Sequence, residues 1–158
     1  MSTPSDPTPA TLQLVSFSIA NETFGINILN VQEIIRLVEI TRVPNSLPHV
    51  EGVINLRGQI VSVVDLRTRL GIARQAPSTQ TRIMVVECDD KTVGFLVDEV
   101  RQVLRISNAV IESTPTLTTH ADAQYVRGVA KLDDTLLTLL DPHELLVTEP
   151  AALPESSA

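Results

Sequence analysis

The sequence of 158 residues has no tryptophan, one tyrosine, three phenylalanines and a single cysteine, Cys88. Grooves that read proline-rich peptides and platforms that stack bases are built from exposed aromatic clusters, so both are disfavoured. One cysteine excludes an intramolecular disulfide and a thiolate-rich zinc site. No run of 18 apolar residues occurs, and Met1–Thr11 has no basic and apolar leader pattern. We therefore expect a soluble, cytoplasmic chain.

Basic residues are also scarce, with 12 Lys and Arg against 19 Asp and Glu and a net charge of -7. Nucleic-acid binders gain most of their affinity by neutralising phosphates, so direct nucleic-acid binding is disfavoured. What the chain has in abundance is valine, isoleucine and leucine. The β-branched members of this set favour pleated sheets, which predicts a mainly β protein with an aliphatic core.

Short apolar segments bounded mostly by glycine, aspartate or asparagine predict the strands. They are Gln13–Ile19, Phe24–Ile28, Gly58–Val64, Arg82–Cys88, Val93–Val97 and Thr135–Leu140. Ile28–Val38 and Val97–Ile106 also show helical spacing, but their β-branched content favours bent strands. Short helices are predicted at Leu47–Glu51, at Leu66–Leu70 behind the capping residue Asp65, and at His143–Val147 behind the capping residue Asp141.

The most informative feature is an internal repeat. Val50–Asp65 aligns without a gap on Val126–Asp141 at an offset of 76, and Thr23–Arg36 aligns on Thr92–Arg105 at an offset of 69. The leading strand Leu12–Ile19 falls on Thr81–Cys88 at the same offset of 69. A duplicated all-β unit accounts for this order, with each half forming a small closed barrel.

The repeat also sets the expected boundaries. Residues 12–148 form the folded part, divided into subdomains at about 12–76 and 77–148, with the join near 73–79. The pattern leaves open whether the two barrels exchange a strand. Residues 1–11 and 149–158, rich in proline, serine and other small residues, are predicted to be disordered tails.

Motifs for catalysis or metal binding are missing. The three histidines, His49, His120 and His143, form no metal-binding spacing, and no phosphate-binding loop or nucleophile elbow occurs. The pairs at 89–90 and 133–134 are typical of hairpin turns, and the aspartates at 65 and 141 of helix caps. We expect no enzyme activity, no cofactor and no metal; the rival hypothesis is a small hydrolase or ligand-binding barrel that uses these two aspartates and a histidine.

The segment Asn55-Leu56-Arg57-Gly58 stands apart, because the second repeat has Lys131, Asp133 and Asp134 where the first has Asn55, Arg57 and Gly58. One interpretation is a turn with positive φ at the glycine and a solvated arginine. The other pairs Arg57 with the carboxylate of Glu33, since a planar guanidinium grips a carboxylate with two parallel hydrogen bonds. Spacing alone does not decide between them.

These residues resemble the CheW family of chemotaxis coupling proteins. The resemblance covers nearly all of the folded chain, through LVSFSIANETFGINILNVQEIIR, VPNSLPHVEGVINLRGQIVSVVDLRTRLG, TVGFLVDEV and YVRGVAKLDDTLLTLLD. It implies a mainly β fold of two pseudo-symmetric SH3-like five-stranded barrels with a few short helices. It also implies a non-enzymatic adaptor that joins the signalling tip of methyl-accepting chemoreceptors to the regulatory domain of a CheA-type histidine kinase in membrane-associated arrays.

The resemblance further implies the partner-binding residues, with a receptor helix in the groove between the barrels. They are Val31, Glu33, Ile34, Gly52, Ile54, Asn55, Arg57, Gly58, Ile83, Gly94 and Gly128. Glu33 and Arg57 would organise this region or the adjoining kinase contact. An adaptor of a non-flagellar chemosensory system, for twitching motility, surface sensing or second-messenger control, is the alternative within the same fold.

Overall fold

The computed structural model of the chain describes residues 11–42, 44, 50–73, 75–112, 123–132 and 134–147. Residues 1–10 and 149–158 of the predicted tails, and residues 47–49 of one predicted helix, lie outside these ranges. Thr11, which the prediction placed in the first tail, instead begins a strand. No helix in the described ranges is long and apolar enough to cross a membrane.

Strands dominate the described residues, as the composition predicts. The strands are β1 (Thr11–Ile19), β2 (Glu22–Asn27), β3 (Val31–Arg36), β4 (Val50–Leu56), β5 (Gln59–Asp65), β6 (Arg82–Cys88), β7 (Lys91–Val97), β8 (Glu99–Ser107), β9 (Ile111–Glu112), β10 (Val126–Leu132) and β11 (Thr135–Leu140). The helices are α1 (Leu66–Arg69) and α2 (Pro142–Val147), and 3₁₀ turns occur at Ile28–Asn30, Asn108–Val110 and Ala123–Tyr125.

The strands form two sheets, and each sheet draws on both halves of the chain. The first has the order β8-β1-β2-β11-β10-β9 and the second the order β3-β6-β7-β5-β4. The sheets therefore do not follow the boundary near residue 77. Strand β3 of the first half pairs with β6 of the second, and the parallel pairs β5·β7 and β2·β11 also join the halves.

The two sheets are related by the sequence repeat down to single residues. The β3·β6 register shifts at Gln32 and the β1·β8 register shifts at Arg101, which is the same repeat position. The β4·β5 register shifts at Glu51 and the β10·β11 register at Arg127, again equivalent. Bulges bend strands and increase their twist, so equivalent bulges give both sheets the same curl. The predicted pair of pseudo-symmetric SH3-like barrels is confirmed.

We call the barrel formed by the sheet β8-β1-β2-β11-β10-β9 the first barrel and the one formed by β3-β6-β7-β5-β4 the second barrel. Each barrel is closed by a short pairing at equivalent positions. In the second barrel Thr41, beyond the end of β3, exchanges two backbone hydrogen bonds with Val53 of 2.9 and 2.8 Å. In the first barrel β9, which follows β8, pairs with Val129 and Ala130 of β10. Since Val53 and Val129 are 76 residues apart, both barrels close at the same repeat position.

Three apolar clusters support this arrangement. Leu14, Ala130 and Leu137 belong to the interior of the first barrel, and their repeat equivalents Ile83, Ile54 and Val61 belong to that of the second. The largest cluster takes residues from both sheets, including the stacked rings of Phe17 and Phe24, whose centroids are 5.9 Å apart. Burying this shared face holds the barrels together.

Most local predictions are confirmed. As predicted, bent strands account for most of both disputed segments, since Ile28–Val38 contains β3 after the 3₁₀ turn at Ile28–Asn30, and β8 covers Val97–Ile106 from Glu99 onward. Asp65 caps α1 by accepting a hydrogen bond from the Arg67 amide at 3.0 Å, and Asp141 accepts one from the His143 amide at 3.0 Å. The predicted helix at Leu47–Glu51 is wrong at its last two residues, because Val50 and Glu51 begin β4.

Candidate functional site

The turn between β4 and β5 consists of Arg57 and Gly58, both in the left-handed region with φ of 53° and 85°. Two consecutive residues with positive φ are what a type I′ hairpin turn requires. Asn55 supports the turn, since its Oδ1 accepts a hydrogen bond from the Gly58 amide at 2.8 Å. The turn of the first interpretation is therefore present, with positive φ at Arg57 as well as at Gly58.

For the arginine the second interpretation is correct, because Arg57 pairs with Glu33 instead of being only solvated. Its Nη1 donates to Glu33 Oε1 at 3.1 Å, and its Nη2 donates to Glu33 Oε2. The two hydrogen bonds make a bidentate contact, the most directional form of an arginine–carboxylate pair. The hydrogen bond and then the charge of Glu33 raise the pKa of Arg57 above its already high usual value, so the guanidinium stays charged.

The ion pair joins opposite edges of the second sheet. Glu33 lies on β3 at one edge, while Arg57 follows β4 at the other. The Arg57 side chain is 72% exposed and that of Glu33 is 23% exposed. Exposed ion pairs add little to folding stability because water screens them. What the pair does provide is a fixed arrangement of two charges on the surface.

Apolar side chains continue from Glu33 along the same chain segment. Ile34 is 38% exposed, Leu37 36% and Val38 47%. We call Glu33, Ile34, Leu37, Val38 and Arg57 the β3 surface. Exposed apolar groups that share a segment with fixed charges are typical of protein interfaces, whose centres exclude water and whose rims are polar. Leu37 and Val38 are absent from the sequence-based set, although the apolar-rich segment Ile28–Val38, which ends with them, was a signal for them.

Three other predicted residues are wholly or partly buried. Ile54 and Ile83 are 4% and 0% exposed in the interior of the second barrel, so the prediction that they line an open groove is corrected. Both side chains pack in the apolar interior of the second barrel and stabilise it. Val31 is half-buried and packs against the cluster between the sheets.

Three of the four predicted glycines have packing roles. A Cβ on Gly52 would lie 2.1 Å from the Thr41 carbonyl oxygen, and one on its repeat equivalent Gly128 would lie 2.9 Å from that of Glu112. Both glycines thus let the closing segment approach its barrel. A Cβ on Gly94 would lie 2.9 Å from the Ile83 side chain inside the second barrel.

The acidic residues show turn and cap geometry. Asp89 and Asp90 form a tight turn with φ of 54° and 68°, as predicted, and Asp133 of the other pair lies outside the described ranges. Asp65 and Asp141, on which the hydrolase hypothesis depends, both accept hydrogen bonds from helix amides. Their cap roles account for these side chains without catalysis.

Comparison with known proteins identifies the family. The profile of the CheW-like domain matches residues 13–149. The chain belongs to the CheW family. Its CheW relatives include chemotaxis proteins CheW from Thermotoga maritima, 37% identical over 136 residues (85% of this chain, 87% of the relative), and from Helicobacter pylori, 35% identical over 136 residues (85% and 81%).

The CheW fold is matched by a solved structure. The crystal structure of the scaffolding protein TtCheW from Thermoanaerobacter tengcongensis superimposes with a TM-score of 0.82 at 37% identity, covering 91% of this chain and 99% of that one. The CheW family comprises chemotaxis scaffolds rather than enzymes. The bidentate pair and its apolar neighbours therefore belong to a scaffold, which needs surfaces rather than reactive groups.

Proposed function

We propose that this chain is a non-enzymatic adaptor that couples methyl-accepting chemoreceptors to a CheA-type histidine kinase in chemosensory arrays and so controls chemotaxis. Membership of the CheW family supports the class of function. The observation that carries the site is the bidentate pair of Arg57 with Glu33 on β3, the strand that also exposes the side chain of Ile34. The proposal places the protein in the cytoplasm, recruited to membrane-associated receptor arrays.

The β3 surface suits this task for two physical reasons. Ile34, Leu37 and Val38 offer exposed apolar area, whose burial supplies most of the energy of association. The fixed charges of Glu33 and Arg57 favour one orientation of the partner, because charge complementarity contributes specificity more than raw affinity. Such a surface is small, so each contact would be weak alone and strengthened by avidity within an array.

The adaptor mechanism is therefore geometric. By holding a receptor and a kinase at fixed positions, the protein would transmit a change in receptor conformation to the kinase without any chemical step of its own. The two barrels share a large buried cluster, which gives them the rigidity that such transmission needs.

The first experiment is titration calorimetry of the full chain against the regulatory domain of a CheA-type kinase and against a receptor signalling-tip fragment from the same genome. Saturable one-to-one binding to the kinase domain is expected. No binding to either partner by the folded protein would refute the adaptor proposal.

The second experiment tests the residues, with kinase activation in a reconstituted array as its readout. Arg57→Ala and Glu33→Ala should each weaken activation while the melting temperature changes little. The matched control is Arg127→Ala, which breaks an ion pair with Asp141 whose side chains are 50% and 25% exposed. Full activation by both site variants, or an equal loss in the control, would refute the assignment.

A charge-swapped protein separates two roles of the pair. Arg57→Glu alone and Glu33→Arg alone should both fail to activate the kinase. If the pair acts mainly by ordering the β3 surface, the double swap restores activation, because the bidentate contact can form again in reverse. If either charge contacts the partner directly, the double swap stays inactive.

A further inference from the structure

Three side chains of different chemistry meet where the β6–β7 hairpin contacts α2. The Cys88 Sγ, a carboxylate oxygen of Asp89 and a ring nitrogen of His143 all lie within 4.8 Å of one another. Cys88 and His143 are 55 residues apart in the sequence, so only the fold brings them together. This cluster plays no part in the β3 surface.

The elements that carry the three side chains are well fixed. Cys88 ends β6, and Asp89 occupies a tight left-handed turn with φ of 54°. His143 lies in the first turn of α2, next to its cap. A second contact ties the hairpin to the helix, since Lys91 Nζ donates to the Leu146 carbonyl at 3.2 Å. The cluster is therefore held from both sides by rigid elements, as metal sites require.

The distances suit a single small ion. Asp89 Oδ2 lies 3.6 Å from Cys88 Sγ and 2.5 Å from His143 Nδ1. Zinc ligands lie at about 2.3 Å for sulfur and about 2.0–2.2 Å for nitrogen and oxygen, so tetrahedral ligand atoms are roughly 3–4 Å apart. The sulfur–oxygen spacing already fits. The nitrogen–oxygen spacing needs to open by less than about 1 Å.

The exposed side of the cluster leaves room for that adjustment. The side chains of His143 and Asp89 are 54% and 64% exposed, so both can rotate. We propose that Cys88, Asp89 and His143 form a binding site for a divalent transition-metal ion of the zinc class, with the remaining coordination position open to solvent. Thiolate and imidazole ligands favour zinc-like ions over magnesium or calcium, which prefer oxygen.

Protons compete with the ion at this site. Burial and the neighbouring charge of Asp89 raise the pKa of the Cys88 thiol, and the hydrogen bond to Asp89 raises the pKa of His143. Metal binding needs the thiolate and the neutral imidazole, so the thiol proton is released to solvent as the sulfur–metal bond forms. The other charged groups that act on these two residues are Asp141, Glu144 and Arg127.

Cobalt(II) is the probe, because its spectrum reports ligand type and geometry. The full chain, first treated with a chelator, is titrated with cobalt(II) and then with zinc(II). We expect one equivalent to bind, with a thiolate-to-cobalt charge-transfer band and the strong visible bands of a tetrahedral site, and we expect zinc to abolish both. Binding should release a proton.

Variants assign the ligands. Cys88→Ser should remove the charge-transfer band, and His143→Gln should lower the affinity by more than about 100-fold, because even residues that only support a ligand cost 10–100-fold. The controls His49→Gln and His120→Gln should bind as the wild type does. Circular dichroism without metal verifies that each variant is folded. The proposal is overturned if no saturable cobalt binding occurs, if the sulfur band persists in Cys88→Ser, or if binding depends on a control histidine.

Discussion

Gly52 is the residue whose substitution separates a packing role from a binding role most clearly. A Cβ at this position would lie 2.1 Å from the Thr41 carbonyl oxygen and 2.8 Å from the Ile40 side chain, and Gly52 has a φ of 148°. The oxygen belongs to the backbone segment that closes the second barrel, so it cannot rotate away. In Gly52→Ala the segment must move by about 1 Å, since Cβ contacts below 3.0 Å are essentially never seen.

The cost follows from what that movement breaks. The two Thr41–Val53 hydrogen bonds contribute about 0.5–1.5 kcal/mol each. An alanine held at this φ adds about 1–3 kcal/mol of backbone strain. The sum is about 2–6 kcal/mol. In a protein of this size about 2–4 °C of melting temperature is lost per kcal/mol, which predicts a decrease of about 4–24 °C.

The matched control is Gly58→Ala, in the turn beside Arg57. A Cβ on Gly58 meets nothing within 4 Å, so only its φ of 85° penalises alanine. That cost is about 1–2 kcal/mol, or about 2–8 °C. Gly128→Ala should fall between the two, because its Cβ would be 2.9 Å from the backbone oxygen of Glu112 without a positive φ. Thermal unfolding followed by circular dichroism measures all three.

A melting temperature of Gly52→Ala no lower than that of Gly58→Ala would refute the clash argument. Calorimetry below the melting transition supplies the second readout. If Gly52 acts only in packing, the folded fraction of Gly52→Ala binds the kinase domain as the wild type does. Weaker binding by a fully folded variant would instead place Gly52 at the interface.

Three further predictions follow from burial and hydrogen bonding. Ile83→Ala should lower the free energy of unfolding by about 2–5 kcal/mol in denaturant titration, because Ile83 is buried. Ile34→Ala should change that free energy by less than about 0.5 kcal/mol but weaken partner binding. Equal stability losses in the two variants would contradict the assigned environments. Arg67→Met removes the guanidinium that donates hydrogen bonds to both carboxylate oxygens of Asp98, and should lower the free energy of unfolding by about 3 kcal/mol in the same titration. A change near zero would contradict this prediction. Asp65→Ala should cost about 0.5–2 kcal/mol through loss of the α1 cap, measured by thermal unfolding, while unchanged stability would show that the cap is dispensable.

Local structure was largely readable from the sequence, because it depends on residues that are neighbours in the chain. Alternating apolar residues located β1 and β6, and aspartates followed by apolar residues located the starts of both helices. The helix prediction at Leu47–Glu51, which Pro48 suggested, is wrong at Val50 and Glu51, because pairing with β5 draws these two residues into β4. Because β5 (Gln59–Asp65) lies outside the predicted helix, the local pattern of Leu47–Glu51 carried no information about this pairing.

The repeat carried information about tertiary structure without specifying it. It predicted two equivalent barrels, and the equivalent bulges at Gln32 and Arg101 agree with it at the level of single residues. The repeat could not predict which half of the chain contributes each strand to a given barrel. Equivalent strands have similar edges, so pairing within one half or between the halves would satisfy the same local pattern. Nor could it distinguish the exposed Ile34 from the buried Ile83, because both are isoleucines in apolar strands and only the sheet order places one at an edge.

The sequence by itself determined the family, the mainly β class and the two candidates Glu33 and Arg57. Only the tertiary structure decided that their side chains meet, because they lie on opposite edges of a sheet that had to curl before a contact could form. The same holds for Cys88 and His143, which the sequence analysis treated as unrelated. Spacing along a strand or helix is set by its repeat geometry, whereas contacts between distant segments depend on how whole elements pack.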